Sequence, residues 1–350
     1  MRAIGDRLLT LHIGASKTGT SSLQRGLFGS VAELDAQGIG VPLESRHAHV
    51  ERVLRPLGWV TASGFVDDYP SDALAPLVPV LRSCKGDRLL MTCEDLCEAD
   101  PGRIEVIRDL AERAGLRLRV VLTLRGLAHV VPSEWQQFLK HRMTLDYPTF
   151  LERLRDDRGP WARHFWQRQD AAEICRRWSD VVGAGELDVI VTPPRSRDPQ
   201  GLYRIVGSVV GFDPAVLQWP EKDVNASWGY TEAELYRRVN AALGKRLKDY
   251  ESVYQPAVRW PFVKGVLPRG ASSRIPLPPD ALPWVTERAE AQVAWLRDSG
   301  IRVHGDLADL VPGPDAAAPL PVIDEAEVAA AAVDTLANLA VHQRPRRRRR

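Results

Sequence analysis

The chain has 350 residues, 44% hydrophobic and 26% charged, with ten tryptophans, which is enough to bury a large core and too apolar for a disordered protein. No run of eighteen apolar residues exists, which excludes a membrane-spanning helix, and residues 1–6 lack a signal peptide's succession of charge, apolar run and cleavage site. The net charge of +2 comes from the last seven residues, where Arg344 and Arg346 to Arg350 supply six cations; the rest carries 41 basic against 45 acidic residues. A surplus on the tail and not on the body argues against a nucleic-acid binder. Cys84, Cys93, Cys97 and Cys175 are too sparse for a disulfide framework and lack zinc-site spacing, so buried, reduced thiols of a cytoplasmic protein are expected, with no metal.

Four short apolar runs have strand character: 8–13, 89–93, 118–124 and 187–191. They alternate only weakly, as strands covered on both faces do. Helical spacing fills the gaps at Leu23, Leu27, Val31 and Leu34, at Ile104, Ile107, Leu110 and Ala114, and at Val131, Trp135 and Phe138. Strands alternating with helices predict an α/β fold, a three-layer α/β/α sandwich around a parallel sheet. Past residue 193 the spacing predicts helices near 200–210, 230–249 and 284–299 and no further strand. Seven prolines between 256 and 283 predict a long irregular segment. A second Pro-rich stretch, 312–321, leads to an Ala-rich helix near 324–340 and the arginine tail. The expected division is one domain over 1–311 with helical C-terminal additions, then an appendage over 312–350.

The most informative segment is 8–23, LLTLHIGASKTGTSSL. A strand runs into a glycine, a polar loop follows, and an amphipathic helix begins. In that geometry loop amides and a helix N-terminus cradle a phosphate. Gly14, four residues, then Gly19, Thr20 and Ser21 keep the glycines of a nucleotide-triphosphatase loop, but Thr20 stands where the lysine belongs. Lys17 lies inside the loop instead, so its charge is aimed differently. A polar turn capping a helix is the bland alternative.

Lys17-Thr18-Gly19-Thr20-Ser21, within HIGASKTGTSSLQ, resembles the phosphate loop of sulfotransferases that use 3′-phosphoadenosine-5′-phosphosulfate (PAPS), bacterial members in particular. The resemblance implies their P-loop-like fold and a second motif, a strand ending in arginine with a serine eight residues on. Arg125 and Ser133 fit that motif, with Pro132 and the start of the Trp135 helix between them. By carry-over, Ser16, Lys17, Thr18, Gly19, Thr20 and Ser21 would hold the 5′-phosphate, and Arg125 and Ser133 the 3′-phosphate. Lys17 would also stabilise the leaving oxygen, and no metal is needed. The implied reaction moves a sulfuryl group to a hydroxyl of a small molecule, lipid or carbohydrate and releases 3′,5′-adenosine bisphosphate (PAP). A third family element, a late basic loop, is matched poorly by Arg269, Gly270, Ser272, Ser273 and Arg274, which read better as a solvated loop.

A base must take the acceptor proton. Glu94, ending the strand 89–93, sits where ligands gather in open α/β sheets; with Asp95 it could also simply cap the next segment. His47 or His49 is the competing base, whereas His12 reads as a core histidine supporting the loop. His129, His141 and His164 have no constellation around them. Trp161, Phe165, Trp166 and Trp178 fit an acceptor platform or, better, plain core packing. The arginine tail fits a weak contact with anionic lipid or an acidic partner, or a solvated end. Two other readings stay open: a P-loop kinase or ATPase, and a non-catalytic nucleotide-binding module.

Overall fold

A computed structural model describes residues 7–60, 64–66, 68–218, 228–247, 249–267 and 273–342. In chain order it contains β1 (Arg7–His12), α1 (Thr20–Gly29), α2 (Val31–Ala36), β2 (Ile39–Gly40), α3 (Arg46–His49), β3 (Trp59–Val60) and β4 (Gly64–Phe65). Then follow α4 (Val78–Ser83), β5 (Arg88–Thr92), α5 (Pro101–Ala114), β6 (Leu116–Leu124), α6 (Leu127–Leu139), α7 (Tyr147–Arg155) and α8 (Pro160–Gln169). The remainder is α9 (Ala171–Val182), β7 (Leu187–Val191), α10 (Gly201–Val210), α11 (Tyr230–Leu243), α12 (Leu282–Asp298), β8 (Arg302–His304) and α13 (Glu325–His342).

The chain forms two compact units. The first comprises residues 1–130, 163–222 and 284–313, the second 131–162, 223–283 and 314–350. The first is built on a six-stranded parallel sheet in the order β2-β5-β1-β6-β7-β8, with β3 and β4 as a separate antiparallel pair. Leu9, Leu11 and Ile13 point to one face, where Leu89, Met91, Val120 and Leu122 meet helices α5, α9 and α12 through Ile104, Trp178 and Leu296. Leu90, Val121 and Ile190 point to the other, against α1 and α10 through Leu23, Leu27 and Val206. Both faces are therefore buried, which explains the weakly alternating strand sequences. Because β1 lies between β5 and β6, the connections diverge at its carboxyl end and open a crevice there, the usual ligand position in such sheets.

Two expectations fail for definable reasons. A further strand does exist beyond residue 193: β8 pairs in parallel with β7. Its three residues, Arg-Val-His, hold no apolar run. They are fixed by the fully buried Asp188, whose Oδ1 accepts from Arg302 Nε at 2.9 Å and lies 2.7 Å from His304 Nε2. Arg119 Nε donates to its Oδ2 at 2.5 Å. Burial raises the Asp188 pKa, but these three partners outweigh it and hold the carboxyl well below the usual carboxylate range. The proline-rich segment is also not irregular throughout. Residues Tyr250–Arg259 wind as a wide π-type helix around Pro256, capped by Asp249, which accepts from Ser252 N at 2.7 Å. Proline supplies no donor to an ordinary helix ladder, and the wider turn accommodates the loss.

The second unit is helical. Asn240 on α11 donates to the carbonyls of Leu139 and Met143 at 2.8 and 3.1 Å and accepts from Tyr254 OH at 2.6 Å. Arg238 makes a bidentate pair with Glu325 at the start of α13, 2.6 and 2.8 Å. Among the described residues no helix is long and apolar enough to cross a membrane.

Candidate functional site

Strand pairing continues past β1: Ile13 N donates to Val121 O at 3.0 Å and Ala15 N to Thr123 O at 2.8 Å. The chain then turns through Gly14 at φ 107°, where a Cβ would sit 2.5 Å from the Glu94 carbonyl oxygen, so only glycine fits. Lys17 takes φ 63° and Gly19 φ 100°, and α1 starts at Thr20 with no side-chain cap. No side chain caps its first amides, of which Ser22 N donates back to Gly19 O at 3.0 Å.

Neighbouring strands supply the walls that hold this loop. Thr18 Oγ1 donates to Ala15 O at 2.7 Å and lies 2.7 Å from Thr123 Oγ1 at the end of β6. Thr192, just past β7, donates to Thr18 O at 3.2 Å. From the end of α8, buried Gln169 donates to Ser16 O and Oγ at 3.2 and 2.9 Å, and Arg168 Nε reaches Ser16 Oγ at 3.4 Å. Ser21 is exposed.

Cations gather on one side. Arg125 donates to Lys17 O at 3.4 Å, and its pKa is lowered by burial and by the neighbouring Arg195 guanidinium. Burial and Arg125 together depress His129. Ser133 lies on α6, half-buried, in the part of that helix that belongs to the second unit. Pro132 is interior to α6, which starts four residues before Val131, where the helical spacing begins.

Acids gather on the other. Glu94 is 9% exposed and accepts from Thr20 Oγ1 and from Arg46 Nη2, the latter at 3.2 Å. Burial raises its pKa, but Arg46, Thr20, Arg168 and Lys17 overcome that and hold it ionised below the ordinary glutamate value. Asp95, equally buried, is pushed up to about 6, chiefly by desolvation and against the pull of Arg168 3.2 Å away. Arg168 also grips Glu98, and His164 lies 3.7 Å from Glu98.

The histidines divide cleanly. His12 is buried, its Nδ1 2.7 Å from Thr92 Oγ1 and Nε2 3.1 Å from Thr123 Oγ1, with burial lowering its pKa to about 4. His49 is also buried; Thr92 N donates to its Nε2 at 3.3 Å and Nδ1 lies 2.9 Å from Ser45 O. His47 is exposed. His141 stacks on Tyr250 at 5.9 Å in the second unit. Phe165 and Trp178 are fully buried, which makes them core and not a platform. Cys93, Cys97 and Cys175 are buried free thiols and Cys84 is half-buried. Arg269, Gly270, Ser272 and the tail Arg344 and Arg346 to Arg350 lie outside the described residues; Ser273 and Arg274 are exposed.

Sequence reasoning missed Arg46, Arg168, Gln169 and Arg195. Only Arg195 carried a signal, standing four residues after the end of a central strand, where ligands gather. The other three reach the site from helices remote in sequence.

These features define a parallel α/β protein with a glycine-flanked loop and an uncapped helix N-terminus at the carboxyl ends of its central strands, arginines on one flank and a buried carboxylate on the other. No family model matches the chain, and no curated protein matches it significantly. Among solved structures it is similar to the crystal structure of a sulfotransferase from Alicyclobacillus acidocaldarius, at 19% identity and a TM-score of 0.40, over 69% of this chain and 95% of that one.

Proposed function

We propose that the chain is a PAPS-dependent sulfotransferase acting on a hydroxyl of a small-molecule, lipid or carbohydrate acceptor in the cytoplasm. The observation that carries this reading is the loop of residues 14–21, whose helix N-terminus has no side-chain cap and whose Lys17 carbonyl accepts from Arg125, with the Arg195 guanidinium beside it. Such a cluster suits a ligand with two separated phosphates, because guanidinium groups and amides both make charge-assisted bonds to phosphate oxygens. Ser16, Thr18, Gly19, Thr20 and Ser21 supply the cradle of the 5′-phosphate, and Arg125 the 3′-phosphate contact.

The acceptor oxygen attacks sulfur in line, and the bond from sulfur to the bridging phosphate oxygen breaks. Negative charge develops on that oxygen as PAP leaves, and the Lys17 ammonium stabilises it. Glu94 takes the acceptor proton. Its carboxylate is ionised, buried and within the field of Lys17, which brings the base and the cation that stabilises the leaving oxygen to the same site. His49 is less suited to that task, because its Nε2 already accepts a backbone hydrogen bond.

One contact favours a second reading. Thr20 and Glu94 join a loop hydroxyl to a carboxylate on the neighbouring strand, as magnesium-nucleotide enzymes do. Thermal melting distinguishes the two, since a ligand at a hundred times its dissociation constant adds about 2.7 kcal/mol. A large shift with PAP but not with 5′-AMP supports the sulfotransferase. A shift with magnesium-ATP alone overturns it in favour of a kinase or ATPase, and no shift with any of the three leaves a non-catalytic module.

A further inference from the structure

Helix α13 lies in the second unit, anchored there on one side. Glu325 pairs with Arg238, Thr231 Oγ1 donates to Glu327 at 3.2 Å, Asn338 donates to Val266 O at 3.1 Å, and Val328 and Thr335 are buried. The opposite side is unusual for a surface helix. Ala326, Ala329, Val333, Leu336 and Ala340 follow one another at spacings of three, four, three and four, and all are exposed. Val333, Leu336 and Val341 leave 65%, 67% and 62% of their surface in solvent. Exposed surface helices normally show charge there, so a continuous apolar seam marks an interface.

We infer that this seam pairs with the same seam of a second copy of the chain, the two helices antiparallel. The spacing is that of a two-helix seam, in which such residues interlock as knobs into holes. It is also self-complementary about the point midway between Val333 and Leu336. An antiparallel two-fold there sets Val333 against Leu336 twice in the middle and Ala329 against Ala340 at both ends. Small side chains at the ends let the backbones approach closely.

Charge selects the orientation and the occupant. Asp324, Glu325 and Glu327 open the helix, whereas His342 closes it and the sequence continues into six arginines within residues 344–350. Antiparallel pairing sets each acidic end beside the other copy's basic end, and parallel pairing would stack like charges. An anionic bilayer fits less well. The charged side chains within the helix, Glu325, Glu327 and Asp334, are all acidic, and the seam offers methyl groups in place of the aromatic anchors and lysines of a bilayer-seeking helix. Eighteen residues of helix span about 27 Å. A pair of that length lies near the lower limit of specific interfaces, roughly 1,000 Å² in all, so the dimer should be concentration-dependent.

Sedimentation of the full chain over a concentration series reads this directly. The expected result is a reversible dimer that is lost in Val333→Asp/Leu336→Asp, with circular dichroism unchanged, and melting unchanged at concentrations where the parent is monomeric, because both side chains already face solvent. Orientation is read by oxidation in a Cys84→Ser background. Ala329→Cys should cross-link only when mixed with Ala340→Cys. A chain that stays monomeric, a dimer indifferent to the two aspartates, or self-cross-linking of Ala329→Cys would each overturn the inference. Vesicles rich in phosphatidylserine provide the remaining arm: co-sedimentation abolished by the same aspartates, in a monomeric protein, would assign the seam to a membrane instead.

Discussion

Lys17 takes φ 63°, a left-handed conformation that costs a residue with a Cβ roughly 1–2 kcal/mol. Replacement by alanine keeps that backbone but removes the ammonium, so it isolates the charge. Turnover in Lys17→Ala should fall by about 10²–10³-fold, the effect of losing one preorganised group aimed at developing charge. The PAP-induced melting shift should be nearly intact. Single-turnover transfer from PAPS, with that shift as control, checks this; a near-normal rate would remove Lys17 from the reaction. His12 makes a different prediction, about stability. Its pKa is lowered from 6.5 to about 4 by burial, so as pH falls below 6.5 the unfolded chain takes up the proton first. The stabilisation is complete above pH 6.5 and is lost progressively down to pH 4, an effect of about 3 kcal/mol at 1.36 kcal/mol per unit. Denaturant melts of His12→Asn across that window should lack this part of the acid-side slope.

The loop is held by elements that its own sequence does not announce. Gln169 ends α8, is 4% exposed, and gives its amide hydrogens to Ser16, the residue before Lys17. Gln169→Leu leaves the Ser16 carbonyl and hydroxyl short of a buried donor, at a cost of about 1–3 kcal/mol. It should also weaken PAP binding while sparing Lys17. Calorimetric titration with PAP, beside the melting curve, separates the two effects: lost stability with unchanged affinity would make Gln169 a packing residue only. The contrast with β1 shows why some of this was legible and some was not. Segments 8–13 and 187–191 announce themselves because both sheet faces are covered and every side chain must be apolar or satisfied. β8 has no such run and exists because the Asp188 carboxylate, 114 residues earlier, binds Arg302. Gly14 was legible because backbone passes too close for a Cβ, whereas Arg46 and Arg168 become site residues only when the fold brings their helices to Glu94 and Asp95.

At the scale of the molecule, net charge and local field point in opposite directions. The chain carries +2, but without the six tail arginines the balance is 41 basic against 45 acidic residues. A ligand with two phosphates would be repelled by such a body if net charge governed its binding. At physiological salt, however, interactions between exposed charges fade over about 8 Å. Arg125 and Arg195 act within that range of the loop, and the acids on its far flank are neutralised by Arg46 and Arg168. Affinity for PAP should therefore follow the site and not the tail. Titration calorimetry at low and physiological salt should show affinity falling with salt in the parent chain. With all six tail arginines changed to glutamine, affinity and salt slope should stay the same, although the net charge swings from positive to negative. Arg195→Ala and Arg125→Ala should each lower both, because a cation that releases counterions at the ligand has gone. A loss from the tail substitution with none from Arg195→Ala would mean that the arginine tail, and not the loop's flank, supplies the attraction.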